Sequence, residues 1–260
     1  MEITKEIETL FARLDDLIKR ANHSQVGVSA FLSPRELHLA RSFLQKRGCA
    51  YLCFGGYGDA ERQRIYILPE YMESVENVLD MEAFGVSARI SVIKACGSGF
   101  CKLSHRDFMG AVLGLGVERS VIGDIVIVEE SVALIICDEA ISQFLLESLT
   151  EVGRDKVKVS LVELGEDFVS PRKYAPISDT VASARLDCVV AALCSLSREK
   201  AREAVLDGLA EVDYETCEQP DKEVKPVCLI SVRGYGKFRI LSLSDKTKKG
   251  RYRLVGEKFL

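Results

Sequence analysis

Arg185-Leu-Asp-Cys-Val-Val-Ala-Ala-Leu-Cys-Ser-Leu-Ser-Arg-Glu-Lys-Ala-Arg-Glu-Ala-Val-Leu-Asp-Gly-Leu209 decides how the rest of this chain is read. Leu186, Val189, Val190 and Leu193 stand at i, i+3, i+4 and i+7 and therefore fall on one apolar helix face. Ser197 supplies an N-cap hydroxyl for a second helix, which buries Ala201, Ala204 and Val205 and stops at Gly208, a residue suited to a left-handed helix end. Arg198 and Arg202 are four apart on the remaining face, with Lys200 between them and Arg185 at the start of the first helix. Two short helices that gather cations around a serine-arginine turn make a clamp for a phosphate backbone, and structured RNA is the expected ligand.

The charge of the chain is unevenly spread. Thirty-five Lys and Arg against 39 Asp and Glu give a net of −4, which by itself selects no partner. Residues 232–260, however, hold nine basic side chains against Asp245 and Glu257, while residues 1–182 hold twenty basic against twenty-seven acidic. Lys237 and Arg239 alternate with Phe238 and Ile240, and Arg251 and Arg253 alternate with Tyr252 and Leu254. Period-two geometry predicts two antiparallel strands with cations on one face and apolar groups on the other. Asp245-Lys-Thr-Lys-Lys-Gly250 reads as the turn between them and projects Lys246, Lys248 and Lys249. With Arg233, these residues extend the candidate RNA surface; alone, such a face is equally a solvated one.

The pattern Arg185-Leu-Asp187, Ser197-Arg-Glu-Lys-Ala201, Gly208 and Ile230-Ser-Val-Arg-Gly234 resembles the S4-type RNA-binding domain shared by a small-subunit ribosomal protein, pseudouridine synthases and tyrosyl-tRNA synthetases. That resemblance implies an αL-shaped RNA-binding surface made by the two helices and the strand after them. The chain departs from the pattern at two turns. Val212-Asp213-Tyr214 stands where the family has valine-asparagine-glycine, and Val227-Cys228 where it has glycine-aspartate, so rearranged turns are expected there.

Upstream, 47% hydrophobic content over 260 residues suffices for one large or several small cores. Ile3, Ile7, Leu10, Leu14, Leu17 and Ile18 trace one face of a first helix. Ser33-Pro-Arg-Glu36 is a capping box for a second, ending at Gly48. Residues 50–54 and 64–68 read as strands joined by Gly55-Gly-Tyr-Gly-Asp59, a glycine-rich run that lacks nucleotide fingerprints and is expected to be a tight hairpin turn. From residue 88 the order is strand, helix capped by Ser104, strand-like 120–122 and 125–129 split by Gly123-Asp124, strand, helix, strand: a βαββαβ unit. Residues 166–182, with Pro171 and Pro176, read as a linker. The expected organisation is α+β: an N-terminal α/β domain (1–80), a middle RRM-like domain (81–165), the linker (166–182) and the S4-type domain (183–260).

Phe31-Leu-Ser-Pro-Arg-Glu36, Phe54-Gly-Gly-Tyr57, Ala60-Glu-Arg62, Leu103-Ser-His-Arg-Asp107, Gly110, Leu113-Gly-Leu-Gly116, Gly123-Asp-Ile125 and Val152-Gly-Arg154 together resemble the YlmH family, in order and over nearly the whole chain. This resemblance implies a bacterial cytoplasmic RNA-binding protein that associates with ribosomes and is often encoded near cell-division genes. Similarity of the last domain to that of the small ribosome-rescue protein RqcP further implies ribosome-associated quality control on large subunits holding obstructed peptidyl-tRNA. The expected partners are ribosomal RNA and tRNA of the large subunit, with the protein a monomer off the ribosome. Arg62, His105, Arg106 and Arg154 are possible secondary RNA contacts.

Other classes are less well served. No run of about eighteen apolar residues predicts a membrane span. Nine cysteines without a Cys-x-x-Cys pair or a histidine at ligand spacing predict free thiols and neither disulfide nor metal. His105, at a helix start beside Arg106 and Asp107, is the residue an enzyme would want, but it reads better as a helix-start histidine bonded locally. A methyltransferase would need more than the two glycines of Cys96-Gly-Ser-Gly99, and a pseudouridine synthase would need a large catalytic domain after the S4-type module. No catalytic residue and no cofactor are therefore expected. An RNA-modifying enzyme and a cell-division accessory protein are the alternatives.

Overall fold

A computed structural model describes residues 5–72, 89–165, 167–246 and 250–260, except the side chains of residues 245 and 246. The sequence also predicts a helix around residues 71–79; most of it, like the boundary near residue 80 and Ile3 of the first helix face, lies outside the described residues. The chain divides into two compact units, Met1–Pro171 and Arg172–Leu260. Six α-helices and four sheets among the described residues make it an α+β protein.

The first unit begins with α1 (Lys5–Asn22) and α2 (Pro34–Lys46). Leu10, Leu14 and Leu17 of α1 meet Leu37, Ala40 and Leu44 of α2 over Ile65 and Ile67. The latter two belong to the sheet β1 (Gly27–Val28), β3 (Arg64–Ile67), β2 (Tyr51–Phe54), in that order. At the start of α2 the capping box is closed: Ser33 N donates to the Glu36 carboxylate at 2.7 Å and Glu36 N to the Ser33 hydroxyl at 3.4 Å. Two orphan amides of the helix start are thereby satisfied.

The βαββαβ order expected downstream is present. Strands β4 (Ile90–Cys96), β5 (Ile122–Glu129), β6 (Val132–Asp138) and β9 (Lys158–Val162) form an antiparallel sheet in the order β5-β6-β4-β9. Helices α3 (His105–Gly114) and α4 (Glu139–Ser148) connect them, with a small hairpin, β7 (Glu151–Val152) and β8 (Asp155–Lys156), before β9. Alternation sends Ile93, Ala95, Ile125, Ala133, Ile135 and Cys137 to the helix side, where Phe108, Val112 and Leu145 bury them.

The opposite face is also covered. Val92, Val126, Leu134 and Ile136 pack against Phe31, Tyr57 and Ala60, with Phe168 at the margin. The Gly55-Gly-Tyr-Gly-Asp59 run is therefore no tight turn. It opens the long connection from β2 to β3 that lies on the second sheet. Gly56, at φ +95°, lies so close to the sheet that a Cβ would stand 3.2 Å from both Ile90 and Ile136, and at Gly123 it would stand 2.9 Å from Ile136 and Phe31. Asp124 and Arg62 lock this docking. The buried Asp124 carboxylate accepts the Tyr57 hydroxyl at 2.6 Å and the amides of Glu61 and Arg62 at 2.7 and 3.0 Å. The Arg62 guanidinium donates to the carbonyls of Ile122, Phe31 and Arg119 at 3.0, 2.8 and 3.1 Å. Gly123-Asp124 does not split two strands. It sits within β5 at a register shift between Ile122 and Ile125, which aims the carboxylate at the loop.

The second unit is one six-stranded sheet, β10 (Tyr174–Val181), β15 (Tyr252–Phe259), β14 (Gly236–Lys246), β13 (Cys228–Val232), β11 (Ala210–Val212), β12 (Glu215–Thr216), in that order. Helices α5 (Leu186–Cys194) and α6 (Arg198–Leu206) pack on it. Here the linker reading fails in part. Residues 174–181 pair along their full length with β15, from Tyr174 opposite Phe259 to Val181 opposite Tyr252. Prolines suggested a linker, but Pro176 lies on an edge strand, where its missing N–H is harmless.

Asp124→Ala removes the acceptor shared by the Tyr57 hydroxyl and the Glu61 and Arg62 amides, and we expect it to destabilise the first unit by about 3 kcal/mol. Calorimetry should show the melting temperature of that unit fall by roughly 6 to 12 °C. An unchanged transition would mean that apolar packing alone holds the loop.

Candidate nucleic-acid interface

Arg185 occupies the N-cap position of α5, and its backbone carbonyl accepts from Val189 N at 3.0 Å. Its side chain forks onto Asp187, with Nε 3.1 Å and Nη2 2.9 Å from the two carboxylate oxygens. Asp187 is buried. Desolvation favours its neutral form, but the Arg185 fork and the Cys188 amide outweigh it and hold the pKa below the usual carboxylate value. Arg185 is thus oriented by a fixed anion while its side chain stays 43% exposed.

Ser197 caps α6, its hydroxyl accepting from Lys200 N at 3.3 Å, and Ser195 turns the chain between the helices at φ +54°. Arg198, the first residue of α6, reaches back so that its Nη2 lies 3.3 Å from Cys188 Sγ. The two arginines therefore flank the first turn of α5, one from its cap and one from the neighbouring helix. Lys200 and Arg202 are exposed on α6, and Arg233 is exposed in the turn between β13 and β14. Gly208 takes the left-handed conformation expected of it, at φ +67°.

The basic strands lie elsewhere. Phe238, Ile240 and Leu254 are fully buried beneath α5 and α6, so Lys237 and Arg239 stand on the face that no helix of this unit covers. The cations read from the sequence are hence, among the described residues, not one surface. Arg251 binds the Thr180 hydroxyl and carbonyl at 3.1 and 2.6 Å. Lys248 and Lys249 lie outside the described residues, as does the side chain of Lys246.

Sequence reasoning missed the aromatic groups on the same face, because they come from strands far apart in the chain. Tyr174 and Phe259 meet edge to face at 5.2 Å. Arg239 stands over both rings, at 5.6 and 5.2 Å, and Lys237 over Phe259 and Tyr214, at 5.0 and 5.3 Å.

The two unusual turns flank this face. Asp213 and Tyr214 are both left-handed, at φ +50° and +67°, and close a two-residue hairpin from Val212 to Glu215. That is the backbone asparagine-glycine would give, so the turn is preserved and not rearranged. Asp213 helps to hold it by accepting Leu229 N at 2.9 Å. Val227 keeps φ +62° with its side chain 80% exposed, a costly conformation for a β-branched residue.

In the first unit, Arg62 does not reach outward as an RNA contact would: the loop docking consumes it. His105 sits at the first turn of α3. Desolvation and then the charge of Arg119 lower its pKa, against Asp124 and Glu61, which disfavours the charged form of the imidazole. Arg106 and Arg154 are exposed. The helix-free sheet face, on which βαββαβ domains stack unpaired bases, is closed in its centre by Phe31, Tyr57 and Ala60. All nine cysteines are free thiols, and among the described residues no group of His, Cys, Asp and Glu could hold a metal ion. No described helix is long and apolar enough to cross a membrane.

Replacing Val227 by glycine removes left-handed strain without removing packing. We expect a gain of about 1 kcal/mol, seen as a rise of roughly 4 °C in the melting of the second unit. A loss of stability would show that the strain is absent or compensated.

Residues 89–166 match the family model described as "Putative RNA-binding domain in YlmH". Among solved structures, "Cell division protein ylmH from Streptococcus pneumoniae" superposes with a TM-score of 0.53 at 19% identity, over 65% of this chain and 98% of that one, which shows a shared fold. A curated relative, "Ribosome-associated protein quality control protein P2" of Bacillus subtilis (strain 168), is 31% identical over 234 residues, 90% of this chain and 88% of the relative. The chain belongs to the YlmH family.

Proposed function

We propose that this chain is a non-catalytic RNA-binding protein acting on the ribosome in ribosome-associated quality control. Residues 172–260 serve as an S4-type module, and the ligand is ribosomal RNA or tRNA of the large subunit. The observation that carries this reading is the convergence of Arg185 and Arg198 on the first turn of α5, beside exposed Lys200 and Arg202. The Asp187 fork presets one guanidinium and the Ser197 cap presets the start of the helix that bears the other. Both arginines then meet phosphates or base edges of a non-helical junction at reduced entropic cost. Arg233 adds a phosphate contact whose strength falls with salt. The relative's printed name supports the ribosomal setting. The protein is cytoplasmic and, when it is not bound to the ribosome, a monomer.

Two features speak against an RNA-modifying enzyme. Asp187, the aspartate of the Arg-Leu-Asp motif, is buried and consumed by Arg185. The Cys96-Gly-Ser-Gly99 loop, which a methyltransferase would turn toward a ligand, directs the Ser98 amide onto the buried Asp155 carboxylate at 3.0 Å.

The test is co-sedimentation with purified large ribosomal subunits at two salt concentrations. Wild-type protein should pellet with the subunits and do so less at the higher salt. Arg185→Ala/Arg198→Ala should lose about 3 kcal/mol, roughly a hundredfold in affinity. Because the first substitution strands Asp187, Arg198→Ala/Arg202→Ala serves as a second variant at exposed positions. It should reduce the salt slope by about two. Equal pelleting of all three proteins would overturn the clamp.

A further inference from the structure

The open face of the C-terminal sheet carries an arrangement that phosphate binding does not explain. Reading across the strands, Tyr174, Phe259 and Tyr214 are rings from β10, β15 and the β11-β12 turn, with Arg239 and Lys237 of β14 set between them. All five side chains are half-buried, and the stripe runs about 20 Å from β10 to β11. The register fixes the face: Arg239 opposes Glu257 and Leu229, while its neighbours Phe238 and Ile240 enter the core on the other side. Arg253 joins the same face through its place opposite Thr180 and Ser244. Among the described residues the carboxylates there are Glu257, 3.7 Å from Arg239, and Glu211, with Asp213 at the margin holding the Leu229 amide. The face is cationic on balance.

We infer that this face is a second RNA-binding surface, separate from the helical clamp, which stacks the bases of an unpaired strand on Tyr174, Phe259 and Tyr214 while Lys237, Arg239 and Arg253 take its phosphates. The inference rests on the RNA-binding reading above and deepens it by naming the form of RNA. Magnitudes favour the exchange. A cation over an exposed ring contributes less than a base stacked on an aromatic side chain. Releasing Lys237 and Arg239 from the rings to the phosphates therefore costs less than the stacking returns. Duplex RNA offers its backbone but hides its base faces, so the rings give it nothing. Tyr214 strengthens the inference because it holds a left-handed backbone, at φ +67°, that glycine would adopt without strain. The chain keeps a ring where the turn alone would prefer none.

The experiment uses the full chain and fluorescence anisotropy with two labelled probes at one salt concentration: an unstructured oligoribonucleotide of about twelve nucleotides, and a stem RNA with an internal junction. Tyr214→Gly relieves backbone strain and so keeps the fold, and Phe259→Leu keeps apolar bulk without the ring; circular dichroism and melting check both. Each should weaken the unstructured probe roughly tenfold and leave the junction RNA unchanged. Arg198→Ala should do the reverse. Unchanged affinity of both aromatic variants for the unstructured probe, or an equal loss for both probes, would overturn the inference. Binding of the junction RNA alone by the wild type would overturn it while leaving the clamp standing. Failure to bind either probe would overturn both.

Discussion

The buried carboxylate of Asp124 is the constraint on which the first unit depends. A carboxylate in that position is tolerable only when it is hydrogen-bonded, and the Tyr57 hydroxyl and the Glu61 and Arg62 amides that donate to it come from the segment between β2 and β3. Satisfying the charge therefore places that segment, brings Tyr57 and Ala60 onto Val126, Leu134 and Ile136, and lets Arg62 bind three carbonyls on both sides of the junction. Two sheets of modest size become one compact unit. The functional consequence is indirect. A βαββαβ sheet has one face for its helices and one for a ligand, and here the second is spent on the fold.

The C-terminal unit makes the opposite use of a sheet. Its helices cover one face and carry the convergent arginines, while the other face stays open and is studded with rings and cations. An uncovered antiparallel face is ordinarily polar. The left-handed residues Tyr214 and Val227 stand at the ends of β11 and β13, where a generic turn sequence would have supplied glycine. Strain of this kind persists only where the surroundings determine the backbone, as Asp213 does through Leu229.

What the sequence made legible was local. The caps at Ser33, Ser104 and Ser197 and the alternation of β14 and β15 each depend on residues within a few positions, and each is present. What it hid was long-range. Arg62 and a phosphate-binding arginine look alike in a sequence, because only the carbonyls of Phe31, Arg119 and Ile122 reveal where the guanidinium goes. Gly55-Gly-Tyr-Gly-Asp59 reads as a tight turn until Ile136 is known to lie against Gly56. Residues 174–181 read as a linker because the partner that makes them a strand comes some eighty residues later.

The same reasoning separates the basic residues by what each can do. Arg185 and Arg198 are held by protein groups, a buried carboxylate and a thiol, so under the proposed function they would meet an RNA already oriented, and discrimination by geometry would follow from such preorganisation. Lys237 is held by rings, and Arg239 by rings and a part-exposed ion pair with Glu257 at 3.7 Å, attachments that are weak and exchangeable. Net charge, which first drew attention to residues 232–260, cannot distinguish the two kinds, since both count alike toward a basic surface and both weaken with salt. Their partners do distinguish them. A guanidinium fixed on an anion suits a rigid, folded RNA, and a cation resting on an aromatic face suits a flexible strand whose bases compete for that face.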